Sequence, residues 1–328
     1  MPTNHVNNLQ LRLMRPLLWS ILAAMAIYVG SVIACDFNAV GESVAQLGFT
    51  VWAIVLSLSL VNYSLRFVRW EIYLGHLDCR IGTLRSLAYY IAGFAFTTTP
   101  GKAGEAVRSL YLKRHGVTYV HSLAAFFTER FVDLVAMVLL ALVAALTFPE
   151  YQWPVLVITV LVIASLPLIH AESVHALLYR YVEKLRSNKT RSVGKRLLDL
   201  LTSASKLLKP GPLFVGVVLA LIAWGAEGIA FHLILESLGV DTSIGLAVGI
   251  YSASVLAGAL SFIPGGLGST EAVMVLLLKL VGADTATAVA ATLICRLATL
   301  WFAVVIGGIV LAILESTGKS GKRRAPNV

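Results

Sequence analysis

The sequence predicts an all-α polytopic membrane protein with six spanning helices and two re-entrant helical hairpins. The chain of 328 residues is 58% hydrophobic and only 13% charged, with a mean hydropathy of +0.84, whereas a soluble domain carries about 25% charged residues. Several uncharged runs reach the roughly 20 residues that a helix needs to cross the hydrocarbon core. A Pro-Gly-x-x-Gly motif also occurs twice, each time after an apolar run.

The composition excludes several classes of protein. The net charge of +9 comes from basic segments beside apolar runs, which is typical of topology signals and of attraction to anionic lipid surfaces. Because no long basic tract lies elsewhere, we expect no nucleic-acid partner. The three cysteines have neither a metal-binding spacing nor a disulfide framework, and we expect no metal and no cofactor.

The first two helices are predicted at 17–35 and 47–65. The first apolar run is too long for the core of a signal peptide, and no small-residue cleavage site follows it, so we interpret it as a helix of the mature chain. Basic residues precede the first helix and follow the second, which predicts a cytoplasmic amino terminus and a cytoplasmic loop. On this interpretation Arg66 and Arg69 lie in that loop, where they set the topology or contact a headgroup.

The next apolar run, 86–100, is too short to cross the bilayer. The chain breaks at Pro100, Gly101 and Gly104 and returns to a basic segment, so both ends favour the cytoplasm. The simplest solution is a re-entrant helical hairpin within 86–113. Irregular backbone at this depth is tolerated only where protein or a water-filled cavity surrounds it.

The middle of the chain is predicted to cross outward at 122–147 and to return at 154–169. Residues 171–211 then carry nine Lys or Arg and three Asp or Glu, and their apolar residues fall on one helical face. This pattern predicts a basic amphipathic segment on the cytoplasmic surface of the membrane.

The second half of the chain is predicted to span outward at 213–235 and inward at 286–314. Residues 242–281 must then begin and end outside, so they form a second re-entrant hairpin that enters from the opposite face. Both termini are cytoplasmic on this interpretation. The break of the second hairpin contains Pro264, Gly265, Gly266 and Gly268.

The two hairpins belong to an internal repeat within a single transmembrane domain, 1–328. Units 47–147 and 213–314 each contain a helix, a hairpin and a helix. At an offset of 166 residues, eleven of 30 positions are identical, and each unit has a glutamate followed 25 residues later by an arginine. These pairs are Glu105 with Arg130 and Glu271 with Arg296. The predicted topology inverts the units, and inverted repeats with broken helices are typical of alternating-access transporters.

Four cations at or near membrane depth are candidate ligands for an anionic headgroup. A charge at this depth costs about 3 kcal/mol or more on insertion scales, so it needs a partner or a function. The return helix of each hairpin also starts at a glycine break, where free N–H groups and the helix dipole favour an anion. The alternative is that the arginines of the two 25-residue pairs only bind carboxylates and fix helix packing. The four candidates are Lys102, Arg108, Arg130 and Arg296.

Five carboxylates are candidates for proton coupling or charge switching. Those at equivalent positions of the two units carry protons, hold the facing arginines until substrate displaces them, or only stabilise the fold. Asp133 follows Arg130 by three residues, which favours a local ion pair. Glu227 lies in the middle of an apolar helix and is a candidate for lining a cavity or coupling protons. The set is Glu105, Glu129, Asp133, Glu227 and Glu271.

The sequence contains none of the enzyme signatures that we considered. It has no His/Asp metal spacing, no Gly-x-Ser-x-Gly and no P-loop, so we expect a transporter that this chain does not couple to ATP. The second Pro-Gly motif has Gly266 where the first has Lys102. We therefore expect the cytoplasmic hairpin to hold an anion more tightly than the second hairpin does.

Three motifs together resemble the flippase-like family, which is the transmembrane region of lysylphosphatidylglycerol synthases and flippases, over about residues 17–315. They are Pro-Gly-Lys-Ala-Gly-Glu-Ala-x-Arg from Pro100, Glu-Arg-x-x-Asp from Glu129, and Pro-Gly-Gly-Leu-Gly-x-x-Glu from Pro264. The resemblance implies translocation of a lipid between leaflets. Because these 328 residues contain no aminoacyl-transferase domain, we expect a stand-alone member; such relatives are linked with hopanoids and polyprenyl-phosphate sugars.

The predicted function is a flippase-like lipid translocase of the bacterial inner membrane that moves an anionic or phosphate-bearing lipid without ATP. Its expected partners are membrane lipids, either an anionic phospholipid or a polyprenyl-phosphate lipid, and the sequence also allows a homo-oligomer. The alternative is an integral-membrane transferase or accessory subunit that acts on polyprenyl-phosphate-linked sugars or hopanoid lipids, with Glu105 or Asp133 as the base. A small-solute transporter is the third hypothesis.

Overall fold

The computed structural model describes residues 41, 46–99, 105–147 and 152–323, and these residues form helices joined by short connections. The predicted first helix at 17–35 lies outside the described residues. Within them, twelve α-helices are present. They are α1 Gly48–His76, α2 Thr83–Gly93, α3 Arg108–Lys113, α4 Tyr119–Thr147, α5 Gln152–His170, α6 Glu172–Glu183, α7 Asn188–Leu207, α8 Pro210–Ser237, α9 Ile244–Leu260, α10 Ser269–Leu280, α11 Thr285–Arg296 and α12 Phe302–Arg323.

Shorter helical segments lie between some of these helices. One 3₁₀ turn, Phe94–Phe96, follows α2, and another, Pro264–Gly266, lies between α9 and α10. A π-helical segment, Leu297–Trp301, joins α11 to α12 without a break in the helix. We call α2 to α3 the first hairpin and α9 to α10 the second hairpin.

Three helices in the described part of the chain are long and apolar enough to cross a membrane, which are Gly48–His76, Pro210–Ser237 and the continuous stretch Thr285–Ser316. A fourth candidate span is the pair Val155–His170 and Glu172–Glu183, which is bent by 70°. The fold is thus that of a helical membrane protein. The count of six spans, the re-entrant depth of the hairpins and the N-in, C-in topology stay predictions.

α1 is longer than the sequence predicted. The predicted helix stops at residue 65, because arginines at the end of an apolar run usually mark the membrane surface. In the structure the helix continues to His76, and Arg66 and Arg69 are only 5% and 0% exposed. The expectation of a cytoplasmic loop at these two arginines is wrong, because carboxylates from other helices compensate their charge inside the protein.

The segment 171–211 contains two amphipathic helices beside the bundle. α6 has no buried residue, and the buried residues of α7, which packs on α4, lie in its carboxyl-terminal half. Exposed apolar side chains on these helices include Leu177, Tyr181 and Leu197. Exposed apolar faces next to many basic residues suit a helix pair that lies on a membrane surface. The cytoplasmic location of this surface stays a prediction.

The helix packing is reciprocal between the two predicted repeat units. α1, which begins unit 47–147, packs along α8, which begins unit 213–314. α4 packs along α9, and α12 packs along α2, so the last helix of each unit contacts the leading helix of the other unit's hairpin. Two units related by a twofold axis make paired contacts of this kind. Their inversion across the bilayer stays a prediction.

Glycines allow close backbone contacts between the last helix of each unit and the hairpin of the other unit. A Cβ atom on Gly249 of α9 would lie 2.5 Å from the backbone nitrogen of Ala144 on α4, and a Cβ atom on Gly307 of α12 would clash with the backbone of Phe94 and Ala95. Small residues allow such close crossings in membrane proteins, where packing contacts drive helix association. Neither crossing has room for a side chain.

We predict that Gly307→Ala destabilises the protein and that Gly308→Ala, at the adjacent position, does not. The first substitution overpacks the crossing with the first hairpin, which typically costs about 1–3 kcal/mol. A Cβ atom on Gly308 meets nothing within 4 Å, and alanine favours a helix by up to about 1 kcal/mol over glycine. The free energy of unfolding in mixed micelles measures both effects. Equal stability of the two variants would contradict the crossing.

Candidate functional site

The second break lies against the last described residues of the leading arm of the first hairpin. At the second break, Gly265, Gly266 and Gly268 have φ values of 64°, 64° and 85°, which are left-handed conformations that glycine adopts without strain. A Cβ atom on Gly265 would lie only 3.2 Å from Cα of Thr98, at the end of the described part of the leading arm of the first hairpin. The predicted break of that first hairpin, with Pro100, Gly101, Lys102 and Gly104, lies outside the described residues.

A cavity of about 350 Å³ lies beside the point where the hairpins meet. Thr99 of the first hairpin and the glycines of the second break form part of its wall. Two predicted cations line it, Arg130 from one repeat unit and Arg296 from the other, together with Asp133 and Trp224. The rest of the wall is mostly apolar and includes Phe131, Leu134, Met137, Val255, Leu256 and Leu300.

One edge of the cavity is both apolar and exposed. Leu260, Phe262 and Ile263, where α9 ends, line the cavity and are 43%, 75% and 43% exposed. Large apolar side chains that stay exposed in a membrane protein face lipid or a partner at no cost in hydration. The cavity therefore combines a polar interior with an edge that suits hydrocarbon.

Arg296 is held firmly by the second hairpin. Its Nε atom donates a hydrogen bond to Glu271 Oε1 at 2.6 Å, and Nη2 donates to the carbonyl oxygen of Gly265 at 2.7 Å. The other oxygen of Glu271 accepts a hydrogen bond from the backbone N–H of Gly268 at 2.7 Å. Charge-assisted bonds of this kind are among the stronger ones in proteins, so Arg296 and Glu271 clamp the break to α10 and α11.

Arg130, at the equivalent position of the first unit, is held less tightly by the described residues. Its guanidinium lies 3.0 Å from Asp133 Oδ2 and 3.7 Å from Glu105 Oε2, and its side chain is 18% exposed. Its Nη2 atom is at ion-pair distance from Asp133 but makes no hydrogen bond to the described residues, and neither does Nε. Among the described residues, Arg130 is thus bound by ion pairs without the hydrogen bonds that hold Arg296.

Two arginines of α1 form ion pairs with the same carboxylates as Arg130. Arg69 donates a hydrogen bond to Asp133 at 2.6 Å, and Arg66 lies 3.8 Å from Glu105. The Trp224 indole N–H also donates to Asp133, at 3.0 Å. Sequence reasoning assigned both arginines to a loop. Their signal was the absence of a helix breaker after residue 65, with aromatic residues continuing at helical spacing.

Arg108 and Glu129 form a separate buried pair that does not line the cavity. The Arg108 guanidinium binds Glu129, and its Cζ lies 3.8 Å from the ring centroid of Trp70 and 4.9 Å from that of Tyr90. The two charged side chains are 1% and 0% exposed. Cation–π contacts with the faces of aromatic rings stabilise a desolvated guanidinium. The position of Arg108 therefore favours a role in packing over a role as a headgroup ligand.

The first unit carries a surplus of positive charge. Arg66, Arg69, Arg108 and Arg130 are distributed over only three carboxylates, which are Glu105, Glu129 and Asp133. Among the described residues, this cluster thus contains one more cation than anion. In a medium of low dielectric constant an uncompensated cation strongly favours an approaching anion. The cavity next to Arg130 is suited to bind one.

Glu227 lies outside the cavity wall. It is 3% exposed on α8 and accepts a hydrogen bond from the Tyr251 hydroxyl of α9. Glu227 was predicted to line a cavity, and it is not among the residues that line the cavity described above.

No group of three metal-ligating side chains is present in the described ranges.

The sequence model of a known protein family covers most of the chain. The family is described as the lysylphosphatidylglycerol synthase TM region, and its model matches residues 18–307. The chain belongs to this family. Two of the three motifs that carried the resemblance are described in full: Glu129, Arg130 and Asp133 lie in the buried cluster, and the Pro264 motif forms the second break.

Curated relatives of this lysylphosphatidylglycerol synthase TM-region protein are membrane proteins of archaea. A UPF0104 membrane protein of Pyrococcus horikoshii is 25% identical over 295 residues, covering 81% of this chain and 87% of the relative. One from Methanothermobacter thermautotrophicus is 26% identical over 288 residues, covering 82% and 84%. One from Methanocaldococcus jannaschii is 27% identical over 236 residues, covering 68% and 94%. These names give a membrane location and no substrate.

We predict that Arg108→Met destabilises this family member strongly and that adding Glu129→Leu restores most of the loss. The single substitution leaves a carboxylate buried without its cation, which typically costs about 3–5 kcal/mol, whereas replacing both partners by apolar residues is often neutral. The free energy of unfolding in mixed micelles tests this cycle.

Lys195→Ala is the matched control for the Arg108 cycle. It removes the Lys195–Glu183 pair, whose side chains are 49% and 51% exposed, and an exposed pair contributes about 1 kcal/mol or less. A double variant as unstable as Arg108→Met alone would show that the lost stability comes from packing around Trp70 and not from the ion pair.

Proposed function

We propose that the protein is a lipid translocase that moves a lipid with an anionic or phosphate-bearing headgroup between the membrane leaflets, without ATP. The observation that carries the proposal is the cavity beside the two hairpin ends, with Arg130 and Arg296 in its wall and an exposed apolar edge. The two arginines come from equivalent positions of the two repeat units. A site at the junction of two repeats is typical of alternating-access transporters.

The headgroup binds primarily to Arg130. Among the described residues, its guanidinium is bound by ion pairs without the hydrogen bonds that hold Arg296, and it belongs to the cluster with one surplus cation. Arg296 adds positive charge to the same cavity while its own hydrogen bonds hold the second break. Lys102, which lies outside the described residues, is the third proposed ligand because it belongs to the first Pro-Gly motif.

The hydrocarbon chains of the substrate stay in the bilayer during transfer. The edge formed by Leu260, Phe262 and Ile263 connects the polar cavity with an apolar surface, so a headgroup can enter while its chains remain in hydrocarbon. A small water-soluble substrate has no need of such an edge. Membership of the lysylphosphatidylglycerol synthase TM-region family also supports a lipid substrate over a small solute.

Movement of the headgroup is coupled to exchange of ion-pair partners. Glu105 and Asp133 each pair with Arg130 and with one arginine of α1. An arriving anion can therefore take the place of either carboxylate at Arg130, and that carboxylate keeps its arginine on α1. The reciprocal packing of each hairpin on the other unit's last helix provides surfaces for a rocking motion.

We place the protein in a plasma membrane, and a bacterial inner membrane remains our prediction.

A transferase that acts on polyprenyl-phosphate-linked sugars is the second candidate. It is favoured by Asp133, a carboxylate that lines the cavity beside an arginine. A general base must take up a proton readily, but Asp133 forms ion pairs with Arg69 and Arg130, and these two cations stabilise its charged form. Formation of product from a lipid-linked sugar donor by purified protein would favour the transferase.

We predict that Arg130→Ala slows lipid translocation strongly while the protein stays folded. Loss of a charge-assisted hydrogen bond to a headgroup costs about 1.5–3 kcal/mol, which corresponds to roughly a tenfold to hundredfold lower rate. Proteoliposomes with a fluorescent phosphatidylglycerol analogue, bleached from outside by a membrane-impermeant reductant, measure the rate. Arg130→Lys, which keeps the charge and loses the planar fork of donors, should retain part of it.

Lys195→Ala is again the control, because it removes a positive charge far from the cavity lining. It should translocate the analogue at the wild-type rate. A wild-type rate for Arg130→Ala would exclude this arginine as the headgroup ligand, and equal rates for empty and protein-containing vesicles would argue against translocation of this lipid.

A further inference from the structure

Glu227 is a buried carboxylate that the proposed headgroup site does not use. It lies in α8, a helix of 28 residues with mostly apolar side chains, and is only 3% exposed. A charged carboxylate in the centre of a bilayer costs several kcal/mol unless polar contacts compensate it. Its position therefore needs a physical explanation of its own.

The contacts of Glu227 connect α8 with the second hairpin. The Tyr251 hydroxyl donates a hydrogen bond to Glu227 Oε2, and Tyr251 belongs to α9, the leading helix of that hairpin. α9 ends beside Gly265, whose carbonyl oxygen binds Arg296. A change in the Glu227–Tyr251 contact can thus be transmitted through α9 to the break that forms one wall of the cavity.

The titratable and charged groups that interact electrostatically with this pair are Tyr63 on α1 and Cys295 and Arg296 on α11. Arg66 on α1 and Glu271 on α10 interact in turn with Tyr63 and Cys295. The neighbouring groups thus include Arg296 of the cavity. The charge state of Glu227 acts on each of them through a medium of low dielectric constant.

The surroundings of Glu227 also contain polar atoms with unused bonding capacity. Asn62 of α1 donates through Nδ2 to the carbonyl oxygen of Ala223, one turn before Glu227, at 2.9 Å. Its Oδ1 atom and the Ser252 hydroxyl next to Tyr251 are buried and have no hydrogen-bond partner among the described residues. A buried acceptor without a partner typically costs about 1–3 kcal/mol, so this region gains from a further donor.

A distortion of helix geometry lies beside the same residues. The π-helical segment Leu297–Trp301 follows Arg296, and two side chains of α1 hold it: the Ser59 hydroxyl donates to the carbonyl oxygen of Ala298 at 3.0 Å, and the Tyr63 hydroxyl donates to that of Thr299 at 2.6 Å. Single π-helical turns occur frequently at functional sites. Polar side chains thus join α1 to α8, α8 to α9, and α1 to the π-helical segment.

We propose that Glu227 is a proton-binding site that couples proton uptake to movement of the second hairpin. The Glu227 carboxylate takes one proton from water and becomes a neutral acid, so its desolvation cost falls. The Tyr251 hydroxyl then loses its charged acceptor, and the new O–H group can donate to a buried acceptor such as Asn62 Oδ1. The contact between α8 and α9 weakens, so α9 and the break that follows it can shift relative to α8. The coupling role rests on the proposed translocation; proton binding does not.

Proton binding is tested without any transport measurement. Full-length protein in vesicles of zwitterionic lipid is titrated from about pH 9 to about pH 4, a range that covers buried carboxyl groups, while infrared difference spectra follow the carbonyl stretch of protonated carboxyls. Glu227→Gln, which keeps the shape and an oxygen that accepts from Tyr251, should lose one band of the wild-type spectrum. Glu236→Gln, an exposed position of the same helix, should keep that band.

Coupling is tested in the same vesicles with an imposed pH gradient. The translocation rate of the phosphatidylglycerol analogue should change severalfold with the gradient in the wild type and Glu236→Gln, and should not respond in Glu227→Gln. Identical infrared titrations of wild type and Glu227→Gln would overturn the inference, as would an unchanged gradient response in that variant. If no variant moves the lipid but the band is lost only in Glu227→Gln, the proposed function fails and the proton site stands.

Discussion

The buried ion pairs between α1, α4 and the first hairpin constrain the rest of the structure. A guanidinium or carboxylate that leaves water at membrane depth is stable only beside a partner, so the helices that carry them cannot shift independently. Arg66 and Arg69 fix α1 against Glu105 and Asp133, and Glu129 fixes α4 against Arg108. These pairs set the wall of the cavity from the side of the first unit.

The two repeat units differ in how far carboxylates balance their buried arginines. In the second unit one arginine binds one carboxylate and one carbonyl, so its charge is matched and its break is clamped. In the first unit four arginines share three carboxylates. Under the proposed function, the first unit therefore provides the electrostatic attraction for the headgroup, while the second provides a wall that Arg296 and Glu271 hold in place.

Local spacing in the sequence predicted part of this site, and long-range pairing did not. The 25-residue separation of glutamate and arginine indicated both Glu105–Arg130 and Glu271–Arg296, and the separation of three positions between Arg130 and Asp133 indicated their pair. Arg69 was missed because its partner lies 64 residues away, and a basic residue after an apolar run predicts a membrane boundary by default. Arg108 was predicted to be a headgroup ligand because the sequence does not show that aromatic rings surround it in the fold.

The chemical inequality of the two hairpins follows from packing as well as from charge. Gly266 stands where the first Pro-Gly motif has Lys102. At Gly266, with a φ of 64°, a Cβ atom would lie 2.7 Å from Thr270 Oγ1 and 3.0 Å from Cα of Gly258 on α9. No side chain fits there without moving the backbone of α9, and a left-handed residue other than glycine adds strain. The second hairpin thus cannot carry a lysine at this position without a shift of α9, and the inequality with Lys102 of the first Pro-Gly motif has a steric cause.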